Sequence, residues 1–165
     1  MAIACGIRAP EFALTSTSGK SLLLSEVLKD GPAVLAFFKV GCPVCQYAFP
    51  YLERLWQLHK TEAVTFVGIS QDNAKDTESF VDKYGVTFPV ALDNPARYVV
   101  SNAYKLTNVP SIYFIDRDGE IQVSSVGWSR KDIEGINIKL SMMDSAQQQH
   151  PIFRSGEEVA DFKAG

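Results

Sequence analysis

The stretch AVLAFFKVGCPVC, residues 33–45, decides the fold. Its first part, Ala33–Lys39, is apolar up to its last residue, which is typical of a central strand covered on both faces. Pro43–His59 follows with apolar residues near helical spacing and predicts a helix. Cys42 and Cys45 therefore lie at a strand-to-helix junction, with Cys42 in the N-cap region and Cys45 one helical turn further on.

This junction suits thiol chemistry. Residues three apart share one face of a helix, so the sulfurs of Cys42 and Cys45 can approach bonding distance. The unpaired N–H groups and partial positive charge of a helix N-terminus favour a thiolate over a thiol. No acidic residue stands in Pro43–Gln46 to oppose this. Because the thiolate is the attacking species in disulfide exchange, the pair is predicted to be redox-active.

Cys42 and Cys45 have two alternative interpretations: they are inert buried thiols, or they belong to a zinc site. A zinc site needs about four ligands. Beyond the pair, the chain offers only Cys5, His59 and His150, and it has no second paired motif. No metal site is therefore predicted.

The sequence on either side of the junction alternates between strand and helix patterns. This alternation predicts a mixed central sheet flanked by helices on both faces, an α/β sandwich with an N-terminal β-hairpin extension. Residues 1–8 are predicted to be a loose N-terminal arm, 9–143 a single domain and 144–165 a polar C-terminal tail. The expected elements are a hairpin over Glu11–Thr15 and Lys20–Leu24, a helical turn capped by Ser25, strands at Ala63–Ser70, Phe88–Leu92, Ser111–Asp116 and Glu120–Val126, and helices over Ala74–Tyr84, from Asn94 to Tyr104, and after Ser129.

Composition excludes several classes of function. The 165 residues are 46% hydrophobic and 21% charged, and 16 basic against 19 acidic side chains give a net charge of −3. That balance argues against nucleic-acid binding and against an anionic membrane surface. No apolar run reaches the roughly 18 residues of a membrane span. No secretory signal pattern opens the sequence, which as written predicts a cytoplasmic protein, or a secreted or periplasmic one if a signal segment has been removed.

Four motifs resemble the thioredoxin-like superfamily over about residues 9–143. The likeness is strongest to the redoxin branch, which holds the alkyl-hydroperoxide-reductase/thiol-specific-antioxidant (AhpC/TSA) proteins and the TlpA/ResA-like oxidoreductases. The motifs are Ala9–Leu14 with Gly19–Leu22 as the N-terminal hairpin, the strand Ala33–Phe38 followed by the CxxC of Cys42–Cys45, the helix proline Pro50, and Val109-Pro110-Ser111 before the hairpin Ile112–Gly119.

The resemblance implies a thioredoxin-like fold and a thiol–disulfide oxidoreductase that needs no cofactor. It makes Cys42 the nucleophile and Cys45 the resolving thiol. It also implies that Pro110 is cis and lies beside the sulfurs, so that Val109 can pair with an extended partner segment. Gly41 and Pro43 flank the nucleophile and are expected to contact substrate. The implied partners are protein disulfides or dithiols, or a thioredoxin-type reductant.

Two alternatives stay open. One is an AhpC/TSA-type thiol peroxidase with antioxidant activity, although Lys39 stands where peroxiredoxins place a threonine, and the segment in which they often place an arginine reads Asn108-Val109-Pro110-Ser111. The other is a binding module that kept the fold without turnover. Ala36 occupies the position of the buried thioredoxin aspartate. The proton acceptor for the resolving thiol is therefore unassigned, with Glu53, Asp116 and water as candidates.

Overall fold

A seven-stranded mixed sheet organises the chain, and the computed structural model describes residues 1–143 and 149–165. The strand order is β2-β1-β5-β4-β3-β6-β7. The elements are β1 (Ala13–Ser16), β2 (Ser21–Leu23), α1 (Leu24–Asp30), β3 (Ala33–Phe38), α2 (Pro43–His59), β4 (Thr65–Ser70), α3 (Ala74–Tyr84), β5 (Val90–Leu92), α4 (Val99–Ala103), β6 (Ser111–Ile115), β7 (Ile121–Val126), β8 (Trp128–Ser129), α5 (Arg130–Ser141) and β9 (Phe162–Lys163).

The decisive strand β3 lies inside this sheet, as its apolar sequence predicts. It pairs in parallel with β4 and antiparallel with β6, and all six of its residues are buried. Side chains of α2, α3 and α5 pack on one face of the sheet, and those of α1 and α4 pack on the other. The α/β sandwich is therefore confirmed, with the N-terminal hairpin β1–β2 joined antiparallel to β5. None of the described helices is long and apolar enough to cross a membrane.

Helices α3 and α5 begin where the sequence predicts because their N-caps are encoded locally. The side chain of Asn73 accepts the backbone N–H of Asp76 at 2.8 Å, and Ser129 accepts that of Asp132 to start α5. The expected Ser25 cap is wrong. The cap position of α1 is Leu23, and the backbone N–H of Ser25 donates instead to the Glu11 carboxylate.

The predicted helix start at Asn94 is also wrong, whereas the predicted end near Tyr104 agrees with the last residue of α4, Ala103. Asn94 does accept two backbone N–H groups, but those groups close a turn. Tyr98 has a positive φ of 49°, and only then does α4 begin, at Val99. The physical reason is Asp93, which is buried and whose carboxylate accepts the N–H groups of Val100 and Ser101. Because the Asp93 carboxylate caps the helix at Val100 and Ser101, the helix begins later than the sequence predicts.

Both chain ends pack against the domain, so the expectation of a loose arm is wrong. The N–H of Gly6 donates to the carbonyl of Ile121, and the N–H of Ile121 donates to the carbonyl of Ile7. In the C-terminal tail, Ile152 and Phe153 are buried. The division into arm, domain and tail stays a prediction, and residues 144–148 of the tail lie outside the described part of the chain.

Candidate functional site

The end of β3 and the start of α2 hold Cys42 at the N-cap of the helix, as the sequence predicts. The Sγ of Cys42 accepts the backbone N–H of Cys45 at 3.3 Å, and the N–H of Cys42 donates to the carbonyl of Lys39. The first turn of α2 contains no acidic residue. The sulfur therefore accepts a helical N–H at the positive end of a 17-residue helix, which favours negative charge on it.

A second loop, between α4 and β6, meets this sulfur. The peptide bond Val109–Pro110 is cis. The thiol of Cys42 donates to the carbonyl of Val109 at 3.3 Å, across 67 residues of sequence. The loop is fixed from both sides, since Ser111 donates to the carbonyl of Asn108 and the N–H of Gly127 donates to the carbonyl of Pro110. The structure thus brings Cys42, Val109 and Pro110 together.

Burial separates the three cysteines, which are all free thiols. Cys42 is half-buried, Cys5 is exposed on the N-terminal arm, and Cys45, in the first turn of α2, is fully buried. Burial raises the pKa of the Cys45 thiol strongly, and its hydrogen bond with Cys42 raises that pKa further. A partner can therefore reach Cys42 directly, whereas Cys45 is a protonated thiol behind it at neutral pH.

Gly41 and Pro43 flank the nucleophile on the open side of the site. Both residues are exposed, and a side-chain carbon placed at Gly41 would meet no atom within 4 Å. Their surfaces are therefore accessible to a molecule that approaches Cys42.

The two carboxylates suggested as proton acceptors lie elsewhere. Glu53 accepts hydrogen bonds from Thr87 and Gln57 on the outer surface of α2. Asp116 accepts the N–H groups of the β6–β7 turn, at the end of β6 opposite to Ser111. Neither carboxylate contacts the thiols, so both suggestions are wrong.

Sequence reasoning missed Asp72, which follows the carboxyl end of β4. Its carboxylate accepts the backbone N–H of Val40 at 2.8 Å, and its negative charge adds a smaller increment to the raised Cys45 pKa after burial. A polar residue at the end of the strand next to β3 was the available signal, because the carboxyl ends of neighbouring parallel strands meet at one sheet edge.

Three of the positive side chains that could polarise a peroxide contact partners of their own. Arg54 forms a two-pronged ion pair with Glu157, and Arg130 lies over the ring of Phe153. Lys39 is exposed, with its Nζ over the ring of Tyr98 at 5.3 Å.

The second feature that the sequence did not reveal is the path of residues 149–165, which we call the C-terminal strap. It runs along α2 and pairs through β9 with β8. The side chain of Asn108, next to Val109, donates to the carbonyl of Gly165 at 2.9 Å. Gly165 of the strap thus contacts the same loop that contacts Cys42. Within the described residues, no cluster of His, Cys, Asp and Glu is arranged to hold a metal ion.

Comparison with known proteins gives the following likenesses. The AhpC/TSA family model matches residues 5–124. The thiol-disulfide oxidoreductase ResA of Geobacillus kaustophilus is 31% identical over 135 residues, which are 81% of this chain and 76% of that protein. The structure of a secreted Mycobacterium tuberculosis disulfide oxidoreductase, homologous to E. coli DsbE, superposes with a TM-score of 0.64 at 30% identity and covers 75% of this chain and 92% of that one.

A further likeness concerns the fold alone. The thioredoxin domain of the thiol-disulfide oxidoreductase BVU-2223 from Bacteroides vulgatus has a TM-score of 0.75 at 22% identity, covering 86% of this chain and 99% of that one.

Proposed function

The chain belongs to the AhpC/TSA family, within the redoxin branch of thioredoxin-like oxidoreductases, and on this premise we propose that it exchanges disulfides with protein partners through Cys42 and Cys45. The observation that carries the proposal is the position of Cys42. Its sulfur accepts a helical N–H, is partly open to solvent and touches the cis-proline loop. An accessible, charge-stabilised thiolate beside a backbone edge is what disulfide exchange requires.

In the first step, the thiolate of Cys42 attacks one sulfur of a partner disulfide. The partner S–S bond breaks, a new S–S bond joins Cys42 to the partner, and the second partner sulfur leaves as a thiolate that takes up a proton. Ionisation of Cys42 removes the hydrogen bond from its thiol to the carbonyl of Val109. That carbonyl can then accept a backbone N–H from an extended partner segment, as in strand addition.

In the second step, Cys45 attacks the sulfur of Cys42 after losing its own proton. The mixed disulfide breaks, the partner leaves as a dithiol, and Cys42 and Cys45 are left as a disulfide. Two electrons have passed from the protein to the partner. A thioredoxin-type reductant would restore the dithiol by the same two exchanges in reverse order. Because Cys45 is buried directly behind Cys42 in α2, it is the thiol placed to break the mixed disulfide between Cys42 and the partner.

We propose that Gly41, Pro43 and Val109 form the surface that a partner contacts, with Pro110 shaping the loop. Gly41 and Pro43 are exposed beside the sulfur, and Val109 is half-buried with its carbonyl 3.3 Å from it.

The peroxidase alternative has less support. A peroxidatic site needs donors that hold both peroxide oxygens and stabilise the departing charge. Arg54 and Arg130 are held by Glu157 and Phe153, and Lys39 extends over Tyr98. Disulfide exchange needs no such donors.

Cysteine variants test the proposal. Reduced Cys45→Ser, mixed with insulin, is expected to accumulate a mixed disulfide on Cys42 that intact-mass analysis detects and dithiothreitol releases. Cys42→Ser is expected to form none. Cys5→Ser is the matched control, since Cys5 is exposed on the arm and should leave insulin reduction unchanged. Equal adduct formation by Cys42→Ser and Cys45→Ser would show that the assignment of the two thiols is wrong.

A further inference from the structure

The C-terminal strap is fixed along its length by contacts to the domain. Near its start, the carbonyl of His150 accepts the side-chain N–H of Asn137 at 2.7 Å. Ile152 and Phe153 are then buried, and Glu157 forms its ion pair with Arg54 of α2 at 2.8 Å. The segment therefore follows a defined path towards the thiols.

The middle of the strap is attached to the helix that carries the cysteines. The N–H of Ala160 donates to the hydroxyl of Tyr47 at 3.0 Å, and the carbonyl of Ala160 accepts the indole N–H of Trp128 at 2.6 Å. Tyr47 stands two residues after Cys45, and the Nζ of Lys163 lies over its ring at 4.8 Å. Strap and active-site helix are thus in direct contact.

Residues 163–165 lie against the backbone at two places, Gly127 between β7 and β8 and Val109 in the loop between α4 and β6. At Gly127, which has a positive φ of 76°, a side-chain carbon would lie 2.4 Å from the carbonyl oxygen of Lys163. At Gly165, such a carbon would lie 2.4 Å from the carbonyl oxygen of Val109. Both approaches are therefore open only to glycine. The strap backbone occupies the space beside the carbonyl to which Cys42 donates.

We propose that the C-terminal strap determines which disulfides the protein accepts, because it covers one side of the backbone at Val109, where a partner segment would pair. The proposal rests on the disulfide exchange proposed above. Cys42 stays half-buried with the strap in place, so a small disulfide reaches its sulfur. The backbone of Gly165 stands beside the carbonyl of Val109, so a polypeptide that adds there as a strand has to move it. The strap therefore slows exchange with extended protein segments relative to exchange with small disulfides.

A cavity of about 270 Å³ borders this loop, lined by residues that include Lys39, Tyr98, Asn102 and Thr107 together with Val109. None of the residues that line it belongs to the strap.

Proline variants of β9 test the proposal. Lys163→Pro removes the N–H and the charge of an exposed β9 residue, and Lys163→Pro/Ala164→Pro also restricts the backbone of the next residue. Glu158→Pro is the matched control, because Glu158 is exposed and lies in the strap outside β9. The readout is the ratio of two second-order rate constants for oxidation of the reduced protein, by insulin and by glutathione disulfide, followed by acid quench and mass spectrometry.

The expected result is a rise of about fivefold in the insulin-to-glutathione ratio for the proline variants, since one net hydrogen bond is worth about that factor. Glu158→Pro is expected to give the same insulin-to-glutathione ratio as the protein without substitutions. A ratio that is unchanged or lower in the double variant overturns the proposal. Insulin oxidation that survives Cys42→Ser would instead overturn the proposed disulfide exchange, so the two failures are distinguishable.

Discussion

Burial of Cys45 should make the second step of exchange strongly pH-dependent. Cys45 is fully buried, and burial is the main cause of its raised pKa. A partner bound to Cys42 alters the hydrogen bond between Cys42 and Cys45 but leaves this burial in place. Cys45 is therefore a thiol throughout the neutral range, and the attacking thiolate is a small fraction of the population.

The magnitude follows from the titration law. Well below its pKa, the thiolate fraction of a group rises tenfold for each pH unit. The rate of the second step should therefore rise about tenfold per unit, or about 100-fold from pH 6 to pH 8.

The assay uses the mixed disulfide of Cys42 with thionitrobenzoate. Attack by Cys45 releases the coloured thiol, which stopped-flow absorbance follows from pH 5.5 to 9. Cys45→Ser is the control and should release none. A release rate that levels off below pH 8 would refute the reasoning, because Cys45 would then already be ionised despite its burial.

Three further outcomes are expected. Hydrogen peroxide should oxidise reduced Cys42 at a rate close to that of free cysteine in stopped-flow measurements, and a rate several orders of magnitude higher would favour a peroxidase. Phe49→Ala should lower the free energy of unfolding in a denaturant titration by about 3–5 kcal/mol, because Phe49 is fully buried against Phe38 and Phe80. Arg54 lowers the pKa of Glu157 to about 2 from an ordinary value of 4.5, so the pair should hold the strap above pH 4.5 and release it as pH falls towards 2. The indole N–H resonance of Trp128 should shift over that window, and Glu157→Gln should abolish the shift.

The sequence predicts elements whose signals are local and periodic. β3 is a continuous apolar run, α2 has its N-terminal proline and apolar stripe, and α3 has the Asn73 cap, so all three could be placed within a residue or two. The cysteine pair could be placed on the same grounds. The family resemblance added the cis-proline loop, which lies 67 residues away in sequence from Cys42.

The missed features depend on contacts between distant residues. Asn94-Pro95 carries a strong helix-start signal, but the buried carboxylate of Asp93 overrides it. The strap shows no periodicity because its contacts are made one residue at a time, for example by Ala160 to Tyr47 and Trp128. No local pattern encodes such contacts, so the packing against Val109 could not be anticipated.

The N-terminal arm affects whether two molecules can associate through the edges of their sheets. An exposed strand edge is a template on which a second chain can add and start aggregation. At the β7 edge, the arm uses both backbone groups of Ile121, and the side chain of Ser124 donates to the carbonyl of Ile3 at 2.6 Å. The opposite edge, β2, is only three residues long, which limits pairing there. The arm thus shields the sheet against edge-to-edge association while the thiol end of the molecule stays accessible.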